Sequence, residues 1–292
     1  MTIRPRCSRR SRNRSRLPVL TSVSDPCLAA MSTSESLRSL IEQPSSLSLD
    51  ELVPLSLLDR IDYKFVLHPE ELRQVLEGAI RDYLVLEVNG VRRHRYLTTY
   101  FDTPDLAMYF DHHNGARSRY KLRCRSYLDS RVAFVEVKMK TNKERTVKFR
   151  RTVPEHVTRL DTLGRDWLPP SLPYRLDDLQ AVVWNRFVRV TLANFHLRER
   201  ITIDTDIVFG SGDRTFAHEG LCVVEVKHPK FSLVGSPLAR ELHRLHVQPQ
   251  SISKFCVAAA RFYPGCKTNL FKPLLLQLTR HFPLRGPSER TA

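Results

Sequence analysis

From Lys121 to Arg125, and again from Glu136 to Lys140, charged and apolar residues alternate one for one. Successive side chains on a β-strand point to opposite faces, so each segment reads as a strand with one charged and one apolar face. Lys121, Arg123 and Arg125 stand opposite Leu122 and Cys124, while Phe134, Glu136, Lys138 and Lys140 stand opposite Val135, Val137 and Met139. The pattern recurs. Thr146, Lys148 and Arg150 oppose Val147 and Phe149; Arg198, Arg200, Thr202, Asp204 and Asp206 oppose Ile201, Ile203 and Ile207. Glu225 and Lys227 oppose Cys222, Val224 and Val226, and Trp184 shares a face with Arg186. In a sandwich these charged faces would simply be solvated, the ordinary reading of a single such strand. Repetition over many strands favours the inverse arrangement, a closed antiparallel barrel wrapped on its apolar outside by helices, with the charged faces meeting in a wet lumen.

The strand-like runs fall at 62–67, 94–101, 118–127, 132–140, 144–153, 181–193, 198–209 and 221–228, separated by turn signals such as "DTPD", "LDS" and "GSGD". "HPEELRQVLEGAIRDY" predicts a helix, with Pro69 in its first turn and a Leu72, Val75, Leu76, Ala79, Ile80 stripe. Two more helices are expected near 236–247 and 253–262, and the proline-rich stretch 154–180 reads as an excursion from the barrel. The fold class is therefore α+β, an eight-stranded antiparallel β-barrel tunnel. One domain spans 36–263, between a disordered Arg/Ser-rich tail over 1–35 and a loose tail over 264–292. "FVEVKMK" is echoed by "VVEVKHPK", which hints at two similar hairpin halves.

A net charge of +16 points to a polyanionic partner: nucleic acid, an anionic membrane or a phosphate compound. No run approaches the ~18 apolar residues of a membrane span. The six cysteines form no C-x-x-C pair, so zinc ribbons and redox motifs are not indicated and a reduced, cytoplasmic setting fits. "SRRSR" contains the twin arginines of a secretion signal, but the apolar part after it is short and soon meets Asp25. His243 and His246 could share a metal, though such a pair is more often a solvated face. Cations packed about 6.6 Å apart along a strand demand anions between them, and phosphates match guanidinium forks. Glu136 and Glu225 stand out among them as suited to a divalent metal; Asp204 and Asp206, two apart on one face, could add ligands, but pairing with Arg198 and Arg200 is the more ordinary expectation.

The ordered series "RIDYKF", "YLTTYFDTPDL", "SRYKLRCR", "FVEVKMK", "RTVKFRR", "VVWNRF", "RERITIDTDI", "VVEVKHPKFS" and "SISKF" resembles the vacuolar transporter chaperone domain. That is the polyphosphate polymerase branch of the triphosphate tunnel metalloenzymes. The resemblance runs from about 58 to 262. It implies transfer of the terminal phosphate of ATP to a growing polyphosphate chain, with Mn²⁺ or Mg²⁺. It implies catalytic roles for Arg123, Arg125, Lys138 and Lys254, phosphate-binding roles for Lys64, Lys148, Arg186 and Arg200, and a metal on Glu225. Arg150, Lys227 and Glu136 join them on the shared charged faces. Trp184 stands where members usually have tyrosine, and could stack on an adenine or fill the tunnel mouth. The E-x-E-x-K strand of triphosphatase relatives is missing. Fungal members carry an inositol-phosphate-sensing domain and membrane spans; the matched stretch implies neither, although association with a separate membrane protein stays open. Hydrolysis of triphosphate, a catalytically idle polyphosphate reader, and nucleic-acid binding are the competing readings. The last needs aromatic platforms beside the basic strands, and Tyr120 lies on the Leu122 face while Tyr127 lies at the strand end.

Overall fold

A computed structural model describes residues 35–55, 61–141, 146–229 and 233–286. The expected tail over 1–35 lies, but for its last residue, outside the described residues. Eight principal strands follow in chain order: β1 Ile61–Leu67, β2 His94–Asp102, β3 Arg119–Tyr127, β4 Val132–Lys140, β5 Thr146–Val153, β6 Gln180–Asn194, β7 Glu199–Ser211 and β8 Cys222–His228. Helices are α1 Glu35–Glu42, α2 Leu49–Leu52, α3 Pro69–Ala79, α4 Ala107–His113, α5 Pro237–Arg244, α6 Lys254–Phe262 and α7 Lys272–His281. The principal strands pair antiparallel in the order β1-β8-β7-β6-β2-β3-β4-β5. Among the described residues no ladder joins β5 back to β1, so the barrel carries a seam where complete closure was expected.

The apolar faces do point outward. Phe65 and Leu67 of β1, Val224 and Val226 of β8, and Ile201 and Ile203 of β7 are buried under Leu37 and Leu40 of α1, Leu72, Val75 and Leu76 of α3, and Leu238 and Leu242 of α5. On the other side Leu122 and Cys124 of β3 and Val135 and Val137 of β4 are covered by Leu160, Leu168, Leu172 and Leu176 of the proline-rich excursion. His156 pins that excursion, bonding Thr99 Oγ1 at 2.8 Å and Ser126 Oγ at 2.7 Å.

Local chemistry starts the helices as expected. Pro69 opens α3, where the Glu71 carboxylate accepts the His68 N–H at 2.7 Å. Ser253 caps α6 by accepting the Cys256 N–H. This helix departs from the outer wrapping role. Phe255 stacks on Tyr100 at 5.2 Å, and α6 packs with Val66, Val223, Phe187 and Phe209 in one cluster. Val66 shares its strand face with Lys64, and Val223 with Glu225. The lumen is thus apolar where α6 crosses it. Residues 264–286, expected as a loose tail, are ordered: Phe271, Leu274, Leu278 and Phe282 of and around α7 are buried in that cluster, and Leu284–Arg285 pairs with the strand Arg214–His218. No described helix is long and apolar enough to cross a membrane.

Candidate functional site

The charged faces converge on a cavity of about 710 Å³. Register sets its walls in rows. On one wall Lys121 lies opposite Lys138, which lies opposite Lys148; one step along, Arg123, Glu136 and Arg150 align; next come Arg125 and Phe134. On the facing wall Lys64, Glu225, Thr202 and Thr191 form one row, and Asp62, Lys227 and Arg200 the next. Of the residues picked out from sequence, Lys64, Arg123, Arg125, Glu136, Lys138, Lys148, Arg150, Arg200, Glu225, Lys227 and Lys254 all line this cavity. Each echoed segment contributes a glutamate and a lysine to the lining, Glu136 with Lys138 and Glu225 with Lys227.

Arg186 does not line it. On β6 the residues paired with inward Tyr96 and His94 are Phe187 and Arg189, so the lumen face is odd-numbered and Arg186 and Trp184 point away. Trp184 instead packs against Gly210, where any Cβ would overlap its indole, and donates to the Gly212 carbonyl at 3.3 Å. It neither fills the mouth nor meets a ligand in the lumen. Arg189, passed over in the sequence, takes the lumen position. It grips Asp204 with two bonds of 2.5 and 2.7 Å and lies over Tyr96 and Phe187, each 5.1 Å from its guanidinium carbon. Lys254, the first residue of α6, reaches the same Asp204 at 2.5 Å. Asp204 thus pairs with Arg189 and Lys254, not with the expected Arg198 and Arg200. Asp206 leaves the lumen face because β7 bulges there, with Asp206 at φ 53°, and it faces Arg93 at 3.6 Å. Lys121, read as lumen-facing but given no role, donates to the Ser253 hydroxyl at 3.2 Å, tying β3 to the start of α6.

The two glutamates differ. Glu136 accepts at Oε2 from Arg123 at 2.7 Å and at Oε1 from Arg150 at 2.5 Å, so both oxygens are taken by guanidinium groups. Burial would raise its carboxyl, but Arg123, Arg125 and Arg150 outweigh that and hold it far below the usual range. It is an arginine clamp and does not suit a metal. Glu225 accepts through Oε2 from Lys227 and, at 3.4 Å, from Thr202. Among the described residues no group of three or more His, Cys, Asp or Glu could enclose a metal. Glu225 suits the alternative, in which one carboxylate and phosphate oxygens together hold Mg²⁺ or Mn²⁺. His243 and His246 are exposed.

The lumen's field is legible in its titrating groups. Burial, then neighbouring cations, pushes Lys121 and Lys138 down to about 8; burial does the same to Lys227, partly offset by Glu225. His112, beside the lysine rows, is driven to about 3 by burial and by Lys121, Arg119, Lys64 and Lys138. A buried lysine with a lowered pKa opposes folding while charged, below about pH 8, and that cost fades as pH rises. A bound polyanion favours the charged lysine, so above about pH 8 binding must take up protons. The empty protein is therefore expected to gain stability as pH rises from about 8 towards 10, through buried Lys227 and half-buried Lys121; Lys138 is exposed and adds little. Over the same interval the affinity for inorganic tripolyphosphate should fall about tenfold or more. Calorimetry in buffers of differing ionisation heat would show the proton uptake; affinity that is flat across this interval would mean the lysines do not meet the anion.

An antiparallel cylinder with an apolar exterior and a lumen lined by lysine and arginine is the architecture of the triphosphate tunnel proteins. The chain belongs to the VTC domain family, which it matches over residues 59–165 and 171–263. No curated protein matches it in sequence. Solved structures similar to it include a Hippeastrum protein assigned as an adenylyl cyclase and described as having a dominant triphosphatase activity, at 14% identity and TM-score 0.47, covering 69% of this chain and 95% of that one. A Bacillus halodurans protein assigned as an adenylate cyclase is similar at 12% identity and TM-score 0.43, covering 70% and 97%. The PH1819 protein of Pyrococcus horikoshii OT3 is similar at 13% identity and TM-score 0.42, covering 69% and 99%.

Proposed function

We propose that this chain is a polyphosphate polymerase, transferring the terminal phosphate of ATP to a polyphosphate chain within the lumen, in the cytoplasm. The observation that carries the reading is the pair of facing walls, in which cations recur at every register step and outnumber the carboxylates among them. Such a surface neutralises a line of phosphates and offers little to anything else. Arg123 and Arg125 hold the donor phosphates, and Lys138 and Lys148 hold the phosphoryl group in flight. Lys64, Arg200 and Lys227 on the opposite wall hold the acceptor. A terminal oxygen of the acceptor attacks the γ-phosphorus, the bond from that phosphorus to the β-bridging oxygen breaks, and ADP leaves. The transition state is loose, so positioning and charge neutralisation are what the protein has to supply. A divalent ion on Glu225, when bound, neutralises charge on the donor oxygens. Tyr120 is buried on the outer face, its hydroxyl donating to the Ser171 carbonyl, so no base platform stands there for nucleic acid.

The test is to incubate purified protein with ATP and Mn²⁺ or Mg²⁺. ADP together with lengthening chains is expected. Orthophosphate without chain growth would assign hydrolysis, and saturable polyphosphate binding without turnover would assign a reader; either overturns the polymerase.

A further inference from the structure

Asn185 is 0% exposed, and neither its amide oxygen nor its amide nitrogen has a hydrogen-bond partner. Among the described residues it is the one side chain with two polar atoms buried in this way. It sits on the inner face of β6 between Val183 and Phe187, opposite Phe209 of β7, and all three belong to the apolar cluster that α6 closes. Leucine has nearly the same size and would fill that place without leaving polar atoms unpaired. A buried amide kept at such a position calls for a role.

Its register partner on the other side is Thr98 of β2, likewise 0% exposed. Side chains directly opposite on an antiparallel pair have their Cβ atoms about 5 Å apart, so the amide and the hydroxyl are neighbours. Thr98 is in turn opposite Arg125 of β3, and its Oγ1 accepts from Arg125 Nε at 3.4 Å. Among the described residues that is the single hydrogen bond of the Arg125 side chain. Other arginines of the lumen differ: Arg123 and Arg150 are bonded to Glu136, and Arg189 to Asp204. A carboxylate competes with phosphate for the guanidinium fork. A neutral anchor on Nε leaves both terminal nitrogens open and brings no negative charge. Burial, then Arg123 and Arg189, press against the charge of Arg125 and lower its pKa, a cost that an arriving phosphate relieves.

We propose that Asn185 is a positioning residue for Arg125. Its amide oxygen takes the hydrogen of the Thr98 hydroxyl, directly or through one water, which turns the hydroxyl lone pair towards Nε and keeps the guanidinium fork aimed into the lumen. Neither Asn185 nor Thr98 lines the cavity, so both act from behind it. The inference rests on the reading in which Arg125 meets phosphate.

The experiment measures melting temperature, tripolyphosphate affinity by titration calorimetry, and chain growth from ATP, all on the full chain. Asn185→Leu is expected to keep or raise Tm, since the unpaired amide is gone, and to weaken tripolyphosphate about tenfold. Asn185→Ala, which cannot clash, is expected to weaken it equally. Thr98→Val should match them, and the double variant with Asn185→Leu should be worse than either single one by no more than about twofold, because one relay is broken once. In an Arg125→Ala background Asn185→Leu should change the affinity by less than about twofold. A fall in Tm with affinity unchanged would make the amide merely structural and overturn the proposal, as would losses that multiply in the double variant or persist without Arg125. If the unaltered protein lengthens chains and Asn185→Leu is silent, the relay alone falls. If it binds tripolyphosphate through Asn185 and Arg125 but lengthens nothing, the polymerase reading alone falls.

Discussion

Replacing Arg123 by alanine is expected to lower kcat/KM for ATP-dependent chain growth by about 100- to 1000-fold, the usual cost of removing a preorganised group that meets developing charge. The fold should survive, because Glu136 remains bonded to Arg150 at 2.5 Å. The informative partner is Arg186→Ala. The resemblance to the family puts Arg186 on the phosphate; the register of β6 against β2 turns it away and puts Arg189 there. Arg186→Ala is expected to change kcat/KM by less than about twofold, within the range of substitutions away from such features. Steady-state ADP release from the two variants separates the possibilities. A loss in Arg186→Ala equal to that in Arg123→Ala would remove the lumen as the seat of the chemistry.

The second large effect is on stability. Asp204 is 2% exposed and is held by Arg189 and Lys254. Burial would raise its carboxyl, but Arg189 and Lys254 prevail and bring it to about 2. Asp204→Ala leaves two buried cations without their counter-ion, a change that typically costs about 3–5 kcal/mol. For a domain of this size that is a fall in Tm of roughly 10 °C. Because the folded value lies below the ordinary one of 3.8, the pair's contribution is present above about pH 4 and is lost as pH falls towards 2. The variant should lack that acid-sensitive step. Added tripolyphosphate should recover part of the lost Tm, since its oxygens can replace the carboxylate between Arg189 and Lys254. An unchanged Tm, or a fall that anions do not relieve, would show that Arg189 and Lys254 are not held by this charge.

How much of this was legible in the sequence varies by strand. On β3, β4 and β8 one parity is apolar but for Ser126 and His228 at the strand ends, so the lumen residues Arg123, Arg125, Glu136, Lys138, Glu225 and Lys227 could be picked out by alternation alone. On β6 both parities carry an arginine, Arg186 and Arg189, and alternation has no purchase. Only pairing with β2 decides between them. On β7 the bulge at Asp206 inserts one residue and exchanges the faces beyond it; nothing short of a backbone φ of 53° reports that. The seam between β1 and β5 depends on pairing between distant segments, which periodicity does not carry. The tail was a different case. Phe271, Leu274, Leu278 and Phe282 recur at helical spacing, and Pro273 sits in the first turn of α7, so the signal was present in the sequence.

The seam has a mechanical consequence. In a fully laddered cylinder the circumference is set by backbone hydrogen bonds, and its bore cannot widen without breaking some of them. Here the edge strands β1 and β5 bear the Lys64 and Lys148 sides of the two walls with no ladder between them among the described residues. On the proposed function, like charges across that slit push the margins apart and the polyphosphate draws them together. The occupant itself acts as the hoop around the staves.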